Sequence, residues 1–189
     1  MQVILVTEIW GHTPHVVLMA DTIGRIVNRV KIVDPYDGTD QKFKNEEKAY
    51  TSFIKQCGHD EYVRRVTHAV SEAKEPVYLV GFSAGAGAVW TSVCKGTRHT
   101  VQGALCFYGS SIRTMIDTVP TVPVELIFPE HEKHFNVQSV VQALHEKPMT
   151  QCHIVPHGHG FMNPLSDNYD QKTSDQWLHW IQERITSPS

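Results

Sequence analysis

The chain has 189 residues, 41% of them hydrophobic and 20% charged, with 17 lysines and arginines against 20 aspartates and glutamates for a formal charge of -3. This balance fits one domain, residues 1–189, that buries a core, and it excludes a disordered tail. The missing basic excess argues against nucleic-acid binding as the main task, and no apolar run is long enough to cross a membrane.

Short apolar segments rich in β-branched residues recur along the chain, at residues 3–6, 30–33, 77–81, 103–108, 124–128 and 153–155. Most lack strict alternation, as strands buried on both faces of a parallel sheet do. Between them lie segments with helical character. The first covers 13–22, with Pro14 suited to a first turn. A long amphipathic stretch, 45–74, is interrupted near Cys57-Gly58-His59. Residues 84–95 are rich in small side chains, 137–146 follow, and 174–185 close the chain before a tail, 186–189, expected to fray. Strand and helix therefore alternate, which predicts an α/β domain with a mostly parallel sheet of about six strands and helices on both faces. Ligands of such sheets sit at the carboxyl ends of the strands.

The opening MQVILVTEIWG carries no basic residue ahead of its apolar run and reads as a buried strand rather than a secretory leader. Cys57, Cys94, Cys106 and Cys152 are scattered, with no CxxC pair. Reduced thiols in a cytoplasmic protein are the expectation.

Chemistry is expected first at Gly81-Phe82-Ser83-Ala84-Gly85. This G-x-S-x-G run follows a buried strand and precedes a small-residue helix. A serine on so sharp a turn projects its hydroxyl, and the crowded backbone admits only small residues two positions before and after it. The helix N-terminus adds free amides and positive dipole near Ser83.

A serine nucleophile needs a base. With 12 histidines in the chain, position decides. When a serine is presented in this way, the acid follows a later strand and the histidine follows the last. After residues 153–155 the chain reads Pro156-His157-Gly158-His159-Gly160. His159, between glycines, is favoured over its rival His157. After 124–128 the chain reads Pro129-Glu130-His131-Glu132. Glu132 is favoured as the acid and Glu130 competes with it. Trp10, Tyr36, Tyr108 and Arg113 sit in loops or just past strand ends. They are candidates for substrate contact, with core packing or solvent cover as the alternative. Arg113 is the one cation nominated for an acidic substrate group.

In this order, Ser83, Glu132 and His159 make the chain resemble the dienelactone hydrolase family of α/β-hydrolases. The matching signatures are Thr7-Glu8-Ile9-Trp10-Gly11, Val33-Asp34-Pro35-Tyr36, the Ser83 run, Phe107-Tyr108-Gly109 and His159-Gly160-Phe161. The resemblance implies an α/β-hydrolase fold, hydrolysis of ester or lactone bonds of a small molecule, and no cofactor; in this short chain the fold is expected to be compact, without a sizeable lid. It also implies an oxyanion hole from the amides of Ile9 and Ala84, and a Glu8 that lies near the nucleophile and influences its protonation. The chain departs from the family's name-giving enzymes in three ways. Serine replaces their cysteine nucleophile. Asn163 stands where they carry a substrate-binding arginine. The chain also starts at what the family counts as its third strand, so the leading hairpin is expected to be absent. An edge left open in that way favours a homodimer.

Two other readings compete. One is a non-catalytic binding module on a hydrolase scaffold. The other is a metal site built from His131, His134, His157 and His159, whose spacings match no compact zinc signature; no metal is expected.

Overall fold

A computed structural model describes residues 1–96 and 100–187. Its framework is a six-stranded sheet in the order β2-β1-β3-β4-β5-β6, with every neighbouring pair parallel. The strands are β1 (Gln2–Val6), β2 (Arg29–Val33), β3 (Val77–Phe82), β4 (Val101–Phe107), β5 (Val124–His131) and β6 (Thr150–Gly158). The helices are α1 (Pro14–Gly24), α2 (Glu46–Gln56), α3 (Gly58–Glu72), α4 (Ala84–Cys94), α5 (Val137–His145) and α6 (Gln171–Thr186). A short 3-10 turn, Ser110–Thr114, follows β4 and was not foreseen in the sequence.

The strands alternate between two cores, because successive side chains leave opposite faces of the sheet. Ile4, Val6, Leu79, Cys106 and Leu126 point to one face, where Phe53, Tyr62, Val66, Trp90 and Leu144 of α2 to α5 cover them. Val3, Leu5, Val80, Leu105 and Ile127 point to the other, under Met19 and Ile23 of α1 and Ile181 and Ile185 of α6. Two buried faces explain why the strands read as unbroken apolar runs.

The elements match the expected ones closely, but β5 and β6 run longer than anticipated, to His131 and Gly158. Polar residues at their ends disguised this extension. The long helical stretch breaks where expected: Gly58, at φ +69°, separates α2 from α3. Thr186 of the expected frayed tail is helical, and residues 188–189 lie outside the described ones.

The chain leaves β1 toward β2 on one side and later places β3 on its other side. The crevice at this reversal lies between the exits of β1 and β3, where open α/β sheets bind ligands.

Candidate active site

Ser83 occupies the exit of β3 with φ +51° and ψ -114°, a left-handed backbone that a side chain rarely adopts. The flanking glycines make the turn possible. A Cβ on Gly81 would lie 2.8 Å from the Gly85 carbonyl oxygen, and one on Gly85 would lie 2.4 Å from that of Thr7. The second contact presses the first turn of α4 against the exit of β1. Gly85, the residue after Ala84, thereby lies against Thr7, the residue before Glu8.

The Ser83 hydroxyl lies 2.9 Å from Nε2 of His159, and Nδ1 of His159 lies 2.7 Å from Oε1 of Glu132. Burial disfavours the imidazolium. The hydrogen bond and charge of Glu132 outweigh it and, with Glu8 and Glu46, hold the His159 pKa above its ordinary value.

His159 comes from the far side of the sheet, and its loop is pinned along the way. Gly160, at φ +78°, allows the turn that its carbonyl closes with the Asn163 amide at 2.8 Å. The His159 carbonyl accepts from Asn168 Nδ2 at 2.9 Å and from the Ser166 hydroxyl at 3.1 Å. Phe161 is buried against the Tyr108 ring, with centroids 5.3 Å apart.

The rivals are placed elsewhere. Nε2 of His157 lies 2.8 Å from the Thr173 hydroxyl on α6. Glu130 is exposed, and its carboxylate lies 3.7 Å from Nε2 of His131. The extra length of β5 accounts for this, since Glu130 still belongs to the strand while Glu132 lies past its end. Among the described residues, no three histidines, cysteines or carboxylates are grouped to hold a metal ion.

Glu8 is turned inward. Its Oε1 accepts from the Tyr108 hydroxyl at 2.7 Å and its Oε2 from Asn163 Nδ2 at 2.9 Å. Burial raises its pKa, and these two donors oppose the shift.

The residues proposed to face substrate are placed differently. Trp10 packs in the core beneath α2 to α5. Tyr36 is buried, with its hydroxyl donated to the Ile9 carbonyl at 2.7 Å. Tyr108 is fully buried on Glu8. Each ring gains more from apolar burial than from exposure, and each hydroxyl meets an internal acceptor. Arg113 donates to the Ser110 carbonyl at 2.6 Å and lies over the Phe135 ring.

Two partners escaped the sequence reading. The Ser110 hydroxyl donates to Oε1 of Glu132 at 2.9 Å and lies 3.2 Å from Nδ1 of His159. No glycine spacing or chain order marks it out from Ser111 beside it. Asn163 was noted only for the arginine it replaces, and its bond to Glu8 spans 155 positions of sequence.

A model of the dienelactone hydrolase family matches residues 1–183. The chain belongs to the dienelactone hydrolase family. It is 30% identical over 176 residues to the uncharacterised protein YczH of Bacillus subtilis, covering 87% of this chain and 82% of that one. Its fold resembles that of a dienelactone hydrolase-like promiscuous phosphotriesterase from metagenomic libraries, at a TM-score of 0.72 and 12% identity, with 98% of this chain and 85% of that one covered. A dienelactone hydrolase from Anabaena variabilis gives a TM-score of 0.66 at 14% identity, with 98% and 85% covered. As a member of the dienelactone hydrolase family the protein is a hydrolase. Its strand ends bring together Glu8 from β1, Ser83 from β3, Ser110 after β4, Glu132 after β5 and His159 after β6. Among the described residues no helix is long and apolar enough to cross a membrane.

Proposed function

We propose that this hydrolase cleaves ester or lactone bonds of small molecules through an acyl-enzyme on Ser83. The observation that carries the reading is the hydrogen-bonded chain from Ser83 through His159 to Glu132, built on a strained strand-to-helix turn.

His159 Nε2 takes the Ser83 proton as the oxygen attacks the carbonyl carbon. Glu132 holds the Nδ1–H tautomer and stabilises the imidazolium, remaining ionised itself. The amides of Ile9 and Ala84 receive the oxyanion, each donor being worth about 3 kcal/mol in the transition state. The imidazolium then protonates the leaving oxygen. Water, deprotonated by His159, releases the acyl group and restores Ser83. The raised basicity of His159 suits it to this work near neutral pH. Reduced thiols suit the free Cys57, Cys94, Cys106 and Cys152, and we place the enzyme in the cytoplasm on that basis.

The test is a panel of aryl esters of graded acyl length together with simple lactones, assayed with the wild-type chain and S83A. Turnover of at least one class by the wild type, reduced by a factor on the order of 10⁴ or more in a folded S83A, supports the reading. Equal turnover by both chains overturns it.

A further inference from the structure

We infer that Ser110 is a positioning residue that locks the Glu132 carboxylate onto His159. The inference rests on the triad reading above and extends it to a residue outside the triad.

A glutamate carries one more rotatable bond than an aspartate. Its carboxylate must nevertheless present one particular oxygen to Nδ1 of the histidine. Glu132 comes from a loop past the end of β5, where no strand hydrogen bonds fix its direction. The Ser110 hydroxyl supplies the missing constraint. It donates to Oε1, the same oxygen that receives Nδ1–H from His159, and it lies 3.2 Å from Nδ1 itself. The three groups form a closed triangle with sides of 2.9, 2.7 and 3.2 Å. Any rotation of Glu132 away from His159 breaks the Ser110 bond as well.

Ser110 is itself held firmly. It opens the 3-10 turn after β4, and its carbonyl accepts from Arg113 at 2.6 Å. Arg113 lies over Phe135, three residues beyond Glu132, with its guanidinium carbon 5.3 Å from the ring centroid. The turn also packs on α4. A Cβ on Gly87 would lie 2.1 Å from the Ser111 hydroxyl, and one on Gly109 would meet the Ala86 Cβ at 3.0 Å. The turn that carries Ser110 is thus braced against α4, the helix that follows Ser83. The hydroxyl therefore ties the acid to the same rigid body as the nucleophile.

The experiment is a double-mutant cycle read in two ways. Ester turnover is measured for wild type, S110A, S110T, E132Q and the S110A/E132Q pair. The His159 Nδ1 proton is followed by NMR in the same proteins. S110A is expected to lower kcat about tenfold with KM unchanged, a loss typical of a removed positioning hydrogen bond. S110T, which keeps the hydroxyl, retains most of the activity. In the E132Q background the further loss on S110A shrinks to less than twofold, and the Nδ1 proton resonance moves in S110A but not in S110T.

Wild-type kcat in S110A, or an equal loss with and without the Glu132 carboxylate, overturns the inference. A wild-type chain that hydrolyses no ester or lactone defeats the functional proposal alone, and the Nδ1 resonance then decides the role of Ser110.

Discussion

Strands β5 and β6 carry two histidine–glutamate pairs of nearly equal length. Glu132 and His159 meet at 2.7 Å past the ends of the strands, and Glu125 and His153 meet at 2.8 Å within them. The third partner separates them. His159 turns its other nitrogen to the Ser83 hydroxyl. Glu125 turns its other oxygen to the Arg184 guanidinium at 3.1 Å, while His153 sits beside the rings of Trp177 and Trp180. In the first pair the only charged neighbour of the carboxylate among the described residues is an imidazole that also faces a hydroxyl, and in the proposed mechanism its charge serves the imidazolium that forms there. In the second it is already balanced by a permanent cation that anchors α6. A histidine–carboxylate contact acquires chemistry from what its far side faces.

The sharpest way to break this comparison is to remove each imidazole in turn. H159Q is expected to lose turnover by a factor on the order of 10⁴ or more while keeping its melting temperature close to that of the wild type. H153L is expected to keep wild-type kcat and to lose about 2 kcal/mol of stability in denaturant unfolding, because it leaves a buried carboxylate short of a donor. Equal losses of activity would erase the distinction.

Replacing the acids sharpens it further. E132Q removes the charge that raises the His159 pKa, so two effects are expected together. Turnover falls by a factor on the order of 10³, and the acid limb of kcat/KM moves to lower pH. In the wild type that limb is expected above the ordinary histidine pKa of 6.5, because the His159 pKa is raised. E125Q is expected to leave the pH profile where it is.

Chain order and steric logic singled out Ser83, Glu132 and His159, which the structure brings within hydrogen-bonding reach of one another. Ser83 is announced by Gly81 and Gly85, because only glycine fits there. His159 is announced by its place after the last strand. Glu132 could be favoured but not separated from Glu130, since that depended on how far β5 runs, and a strand end rich in charge carries no apolar signal. Ser110 and the Glu8–Asn163 bond were illegible for another reason. They join residues far apart in sequence through hydroxyl and amide groups that also suit any surface loop. Three of the four residues nominated to face substrate went the other way: rings near strand ends invite a functional reading, yet the alternative of core packing claimed Trp10, Tyr36 and Tyr108.

A third histidine extends the comparison. His15 on α1 lies 2.9 Å from the Thr13 hydroxyl, and burial pushes its pKa down to about 4. The unfolded chain protonates it near 6.5, so folded stability falls as pH drops from about 6.5 to about 4, with a limiting slope of about 1.4 kcal/mol per pH unit. His159 acts in the other direction. Its raised pKa contributes stability that is full below 6.5 and is lost as pH rises through the folded value. Urea unfolding across this range is expected to show a flatter acid side in H15Q.

The smallest effect expected concerns Glu8. Y108F removes one of its two donors and should cost about 1–2 kcal/mol of stability, read as a shift in denaturation midpoint with unchanged slope.

The central claim is that Ser83 is an activated nucleophile because His159 faces it. A fluorophosphonate probe followed by peptide mass spectrometry tests this most directly. The account predicts covalent label on Ser83 in the wild type and in H153L, and labelling slowed by orders of magnitude in H159Q. A wild-type chain that stays unlabelled, or an H159Q chain labelled at the wild-type rate, would contradict it.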